Sequence, residues 1–388
     1  MRSESCDIFC NVVDNFGDIG VCWRLAKQLA NEHDFAVRLW VDDLDSFAKL
    51  CPQADSTLAS QQLRGVDVRL WRKDFPETQP ADLVIEAFAC KLPQNFIEAM
   101  AAQEQKPVWI NLEYLSAEDW VESHHKLPSP HPTLPLTKYF FFPGFTRKSG
   151  GLLLERDLLA RRNMFDSAAF WRDMGIQPHM QGEVRVSLFS YENPMLAELF
   201  DVWANSPQPL LCLVPEGRIL PQVKQFFGIT SYDGPMANTA VWQRGNLCVQ
   251  ALPFVKQERY DELLWACDIN FVRGEDSFVR AQWAGKPFIW HIYPQSDGAH
   301  MLKLHAFMEK YAVGLPPDAV LVLNSLCEAW NGKAGSLTSI WNDFLACQSI
   351  LLEHSGHWAK YLAENNLALN LLDFFEEIGR MRAIKMEG

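Results

Sequence analysis

The chain has 388 residues, enough for two domains of ordinary size with separate cores. Hydrophobic residues make up 48% and charged residues 21%; this excludes a disordered chain, and the lack of any uncharged apolar run of about 18 residues excludes a helical membrane span. The net charge of −13 excludes a long-range electrostatic hold on nucleic acid or anionic lipid.

The opening "MRSESCDIFCNVV" lacks the layout of a signal peptide, and the ten cysteines are scattered through apolar segments with no C-x-x-C pair. The expectation is a cytoplasmic protein whose reduced cysteines serve as small core residues.

In chain order, strands are predicted at "CDIFCNVV" (6–13), "FAVRLWVD" (35–42), "VDVRLW" (66–71), "ADLVIEAF" (81–88) and "KPVWINLE" (106–113). Several are apolar on both faces, as parallel strands covered by helices are. After the first strand, Val21, Leu25 and Leu29 with Cys22, Ala26 and Ala30 form one apolar helix face. The proline-rich "HHKLPSPHPTLP" (124–135) predicts a long surface loop near the first domain's edge, and "ERDLLARRNMFDSAAFWRDMG" (155–175) a charged helical crossing. The pattern restarts with "EVRVSLFSYEN" (183–193), "PLLCLVPEG" (209–217), "GNLCVQALPFV" (245–255), "INFVRGED" (269–276) and "PFIWHIYP" (287–294). After Gly298 the chain reads as helix. The expected architecture is α/β: two Rossmann-like domains, residues 1–160 and 183–363, with C-terminal helices. Ligand is expected in the cleft between them, at the carboxyl ends of strands.

The turn "DNFGDIG" (14–20) joins a strand to a helix with glycines, yet it is not G-x-G-x-x-G and carries Asp14 and Asp18. Asp18 reads either as a helix cap or as a carboxylate for a cationic ligand or a proton; Asp14 is equally open between structure and chemistry. In "NFVRGEDSFVRAQWAGKPFIWHIYPQ" (270–295), a strand ends at Arg273, a glycine turn follows and Ser277 opens a helix. Such a terminus, with Arg273 and Arg280 nearby, suits a diphosphate. Glu275 and Asp276 oppose this unless they face a sugar hydroxyl or cap the helix, and a plain capped helix is the alternative. Phe189, Tyr191, Phe254 and Tyr293 lie at strand ends, as core or as a platform for a nucleobase.

Other signals are weaker. The D-x-D of "DDLD" (Asp43, Asp45) reads as a turn and helix cap rather than a metal site. The histidines have no zinc spacing with cysteines, and G-x-S-x-G and G-x-x-x-x-G-K-[ST] are absent. Some of the fourteen tryptophans are expected on a binding surface.

The segments "VVDNFGDIGVCWRLA", "NLEYLSAEDW", "FFFPGF", "SLFSYEN", "LPFV" and "FVRGEDSFVRAQWAGKPFIWHIYPQ" resemble the bacterial protein-arginine rhamnosyltransferases that modify translation elongation factor P. The resemblance runs over essentially the whole chain. It implies the GT-B architecture of two Rossmann-like domains facing a cleft, with a C-terminal helix (about 364–388) crossing back to the first domain. It further implies inverting, metal-independent transfer of rhamnose from dTDP-β-L-rhamnose to an arginine guanidinium, with no cofactor. Carried over by motif, Phe189, Tyr191 and Phe254 would surround thymine and deoxyribose, and Arg273, Asp276, Ser277 and Tyr293 would contact or organise the diphosphate. Asp18 would accept the proton, Asp14 orient the acceptor, and Glu275 position the arginine or support the phosphate turn. Two rivals stand beside this: a non-enzymatic adaptor binding protein through tryptophans, and a Rossmann-type oxidoreductase or epimerase, which lacks its glycine fingerprint.

Overall fold

A computed structural model describes residues 4–13, 17–229, 240–295, 298–333 and 335–387. The chain divides into two compact units: unit 1 is Met1–Arg156 with Leu362–Gly388, and unit 2 is Asp157–Tyr361.

Unit 1 opens with β1 (Ser5–Cys10), α1 (Gly17–Glu32), β2 (Ala36–Val41), α2 (Leu44–Leu50), β3 (Ser60–Leu63), β4 (Val66–Leu70) and β5 (Leu83–Ala87). It continues with α3 (Gln94–Ala102), β6 (Val108–Leu112), α4 (Trp120–His124), β7 (Pro128–Pro130) and β8 (Thr137–Phe141). The strands form one sheet in the order β3-β4-β2-β1-β5-β6-β8-β7. All pairings are parallel except at the two edges, β3 with β4 and β7 with β8. Because β1 and β5 are buried along almost their whole length, their sequences are apolar on both faces. The stretch expected to be a loop at 124–135 therefore holds an edge strand, β7. Prolines are tolerated there because an edge strand has one side free of ladder bonds.

One face of this sheet packs an aromatic cluster around Phe9, with Phe96 at 4.9 Å, Trp40 at 5.7 Å and Phe75 at 5.8 Å between ring centres. Truncating a buried aromatic of this kind costs about 3–5 kcal/mol. A buried carboxylate also sits on β1: Asp7 takes Nε and Nη2 of Arg38, Trp40 Nε1 and the Ala81 amide, all within 2.9 Å.

Unit 2 holds α5 (Leu158–Asn163), α6 (Ser167–Asp173), β9 (Val184–Leu188), α7 (Leu196–Ala204), β10 (Leu210–Pro215), α8 (Leu220–Phe226), β11 (Val241–Arg244) and β12 (Leu247–Leu252). Then come α9 (Gln257–Ala266), β13 (Ile269–Arg273), α10 (Asp276–Ala284), β14 (Phe288–His291), α11 (Ala299–Tyr311), α12 (Pro317–Trp330), α13 (Leu337–Ala346) and α14 (Gln348–Leu362). Its sheet runs β11-β12-β10-β9-β13-β14, parallel except for β11. The segment expected as one crossing helix is two, α5 and α6. Asp166 accepts the Ala169 amide at 3.0 Å and so starts a second helix.

The last helix, α15 (Leu367–Glu387), belongs to unit 1. It packs on α1 and β6, with Phe375 against Phe35 and Phe374 against Tyr139, and Arg382 Nη1 donates to the Lys106 carbonyl at 2.6 Å. Its approach depends on Gly151, whose φ is +80°; a Cβ there would stand 2.1 Å from the Asn365 carbonyl oxygen. No helix among the described residues is long and apolar enough to cross a membrane.

All ten cysteines are free, and eight are buried, as expected of core residues. Eleven of the fourteen tryptophans are buried, Trp71 and Trp242 are half-buried and Trp120 is exposed, so most serve as core.

Candidate active site

In unit 1 the chain leaves β1 at Cys10 and enters α1 at Gly17. Asp14 lies outside the described residues. Asp18 is 3% exposed and sits inside the first turn of α1 rather than at its cap position. Its Oδ2 accepts the backbone N–H of Val13, upstream of the helix, at 2.9 Å. A carboxylate in a helix's first turn is also favoured by the helix dipole.

The preceding two residues are held from β2. Asp42 Oδ1 accepts the Val12 amide and Oδ2 accepts Asn11 Nδ2, both at 2.8 Å. Residues 11–13 line a pocket of about 610 Å³ together with Asp42, Arg72, Lys73, Phe88, Lys91 and Tyr114. Phe88 stacks on Tyr114 at 4.6 Å, and both Phe88 and Ala89 have positive φ, +56° and +54°. Two successive non-glycine residues in that region store strain of about 1–3 kcal/mol each, which a surrounding structure must hold in place. The neighbouring Asp43 does what its sequence context suggested: it caps α2, accepting from the Ser46 amide at 3.0 Å.

In unit 2 the strand ends converge on Arg273. The Phe189 and Tyr191 rings lie on the Arg273 guanidinium, at 4.5 Å and 4.7 Å from its central carbon. Stacking of a cation on aromatic faces contributes about 0.5–2 kcal/mol per contact. Phe189 is half-buried and Tyr191 is 3% exposed. Tyr293, 51% exposed, meets Tyr191 edge-on at 5.4 Å. Phe254 is half-buried just beyond β12. The structure thus brings together Phe189, Tyr191, Arg273, Ser277 and Tyr293, and Phe189 and Tyr191 both contact the Arg273 guanidinium.

The turn after β13 depends on Gly274, at φ +57°, where side chains are disfavoured. Glu275 holds the N-cap position of α10 and Asp276 its first position; both are half-buried. The Ser277 hydroxyl is bonded to the backbone of Arg273 on both sides, accepting its N–H at 2.9 Å and donating to its C=O. Trp290 Nε1 donates to the Gly274 carbonyl at 2.8 Å, and the Trp290 ring stacks on Phe278 at 3.8 Å. Three hydrogen bonds therefore hold the turn, two from Ser277 and one from Trp290.

Arg280 does not share this role. It is 1% exposed and forked onto Asp261, Nε to Oδ1 at 2.6 Å and Nη2 to Oδ2 at 2.9 Å. One group missed from the sequence is His291, at the end of β14. Its Nδ1 lies 2.6 Å from Ser190 Oγ and its ring meets the edge of Tyr191. Burial, then the nearby charges of Arg273 and His300, push it down to about 4, so it is neutral near pH 7. Its presence in the "FIWHIYPQ" segment was visible, but its partner Ser190, just beyond β9, was not. Among the described residues, no group of three or more His, Cys, Asp or Glu is arranged to hold a metal ion.

Residues 6–376 match the family described as elongation factor P rhamnosyltransferase EarP. The chain belongs to the EarP family. The match extends to protein-arginine rhamnosyltransferases of Pseudomonas putida, 51% identical over 95% of this chain and 98% of that one, and of Shewanella oneidensis, 40% identical over 96% and 97%. A solved structure described as the structural basis for EarP-mediated arginine glycosylation of translation elongation factor EF-P is 37% identical, covers 96% of this chain and 99% of its own, and has a TM-score of 0.67. A glycosyltransferase from Rickettsia africae is 10% identical with a TM-score of 0.52 over 97% of this chain and 99% of its own, which shows the fold alone. As an EarP-family protein-arginine rhamnosyltransferase, the chain is a glycosyltransferase of GT-B type: two Rossmann-like units with C-terminal helices, the last of which returns to unit 1.

Proposed function

We propose that this chain transfers rhamnose from dTDP-β-L-rhamnose to one guanidinium nitrogen of a single arginine of elongation factor P, with inversion at the anomeric carbon, in the cytoplasm. The observation that carries the reading is Asp18, a buried carboxylate in the first turn of α1 in a chain that matches this family over residues 6–376. A Rossmann-type phosphate loop presents amides there, and a negative charge suits a cation instead.

Arginine titrates at about 12.5–13.8 and aspartate at about 3.9, so proton transfer before reaction is uphill by about nine units, or about 12 kcal/mol. Asp18 therefore binds the guanidinium as a cation and aligns one nitrogen. It takes the proton as the C–N bond forms and the bond from the anomeric carbon to the diphosphate oxygen breaks, leaving dTDP. Asp14 is the second carboxylate of the acceptor side. Glu275 positions the arginine or supports the adjacent phosphate turn.

Unit 2 serves the donor in this reading. Phe189, Tyr191 and Phe254 surround the thymine and deoxyribose, while Arg273, Asp276, Ser277 and Tyr293 contact or organise the diphosphate. The rigid Gly274 turn and the clamped Arg273 support this, since a preformed cationic turn at a helix N-terminus binds phosphate without reordering.

The test is incubation of the purified protein with dTDP-β-L-rhamnose and elongation factor P, followed by mass spectrometry of the modified peptide and NMR of the anomeric proton. A deoxyhexose on one arginine with an α-linkage is the expected product. Modification only with a different nucleotide sugar, or a β-linked product, would refute the donor or the inversion respectively.

A further inference from the structure

The segment that leaves β1 does not continue in the sheet. Its polar groups are taken by two carboxylates from different elements, Asp42 at the end of β2 and Asp18 in α1. Asp42 fixes Asn11 and Val12, Val12 fixes where the next amide points, and that amide, on Val13, holds one oxygen of Asp18. The links are 2.8, 2.8 and 2.9 Å long, so the chain of contacts leaves little slack. Both charges also reach the Cys10 thiol at the end of β1, which is pushed well up first by its contact with Cys22 and by burial, then by Asp18 and Asp42.

We propose that Asp42 is a positioning residue: it sets the orientation of the Asp18 carboxylate by anchoring residues 11 and 12. The inference rests on Asp18 being the proton acceptor. Asp42 itself is exposed, so removing it deletes two surface bonds and leaves the core intact. A carboxylate that must meet one nitrogen of a guanidinium is sensitive to small displacements, since about 1 Å of misplacement can cost on the order of 100-fold in rate. The sheet and unit 2 do not depend on Asp42, so donor affinity should be indifferent to it.

Asp42→Ala, Asp42→Asn and Asp18→Asn are compared with the parent by steady-state kinetics of elongation factor P modification, with melting temperature as the folding control. Asp42→Ala is expected to lower kcat by about tenfold or more with the donor KM within about twofold. Asp42→Asn keeps an oxygen for the Val12 amide and should recover most of the lost kcat, which a role of charge alone would not allow; a parent-like melting temperature in Asp42→Ala separates positioning from stability. Asp42→Leu provides the same comparison if the alanine variant fails to fold. Normal kcat in Asp42→Ala beside an inactive Asp18→Asn overturns the positioning role alone. Equal loss in Asp42→Ala and Asp42→Asn overturns it too. Full turnover in Asp18→Asn removes the role assigned to Asp18, and this inference with it.

Discussion

Ser277 and Arg273 are joined twice: the serine hydroxyl accepts the arginine's backbone N–H at 2.9 Å and donates to its carbonyl oxygen. The hydroxyl is thus the clasp of the strand-to-helix turn, and it acts on a phosphate through the geometry of that turn. Ser277→Ala leaves two backbone groups of a buried residue without this partner, at about 1–3 kcal/mol each. The expected result is a lower melting temperature and dTDP binding weakened by about tenfold. A calorimetric titration in which Ser277→Ala binds dTDP like the parent would remove the turn from the nucleotide site.

The Arg273 guanidinium contacts both the Phe189 and Tyr191 rings, at 4.5 and 4.7 Å from their centres. Lysine keeps the charge but lacks the planar fork and stacks poorly. Arg273→Lys is therefore expected to weaken dTDP-rhamnose binding by about tenfold or more, with an unchanged circular dichroism spectrum. Parent-like donor affinity in this variant would show that charge alone suffices.

Asp18→Asn replaces an anion with a neutral group of the same shape. Turnover should fall by about 100- to 10,000-fold, the range for losing a general base. The dissociation constant for dTDP should stay within a few fold, because the donor is assigned to unit 2. A parallel large loss of thermal stability would point to a structural carboxylate instead.

Asp261 and Arg280 form a buried pair with neither side chain more than 3% exposed. Asp261→Ala strands a buried guanidinium and should destabilise unit 2 by about 3–5 kcal/mol in urea denaturation. The double change Asp261→Leu with Arg280→Met removes both charges and should restore most of that loss. If the single and double variants unfold alike, the pair's contribution is packing.

His291 is neutral when folded because burial holds it down to about 4, against 6.5 when exposed. His125 in unit 1 is pushed down to about 4 as well, by burial and then by Lys126. In both cases the unfolded chain binds more protons between those values, so stability rises with pH there. Stability should be intact above about pH 6.5 and fall progressively toward pH 4. Melting temperatures that stay flat over this window would refute the assignment.

The ten strands read from the sequence are all present, because buried parallel strands must be apolar on both faces and short turns must separate them. The helix at α1 and the Asp43 cap were equally legible, since both are set by neighbours within a few residues. The short edge strands β3, β7 and β11 were not, because an edge strand exists only by virtue of the strand it pairs with, and neither was β8, which follows the proline-rich segment and lies between β6 and β7. The same division runs through the site. Sequence marked "DNFGDIG" and "RGEDSF" as the segments with chemistry, and the resemblance named the reaction. Arg273 and Arg280 lie seven positions apart on one motif, and the sequence placed both near the helix terminus while naming only Arg273 as a diphosphate contact. Tertiary structure separated them by placing Phe189 and Tyr191 on the first and Asp261 on the second. It likewise supplied Asp42, thirty residues from the amide it anchors. Local propensity acts over a few residues, whereas the partner of a charge is chosen by the whole fold.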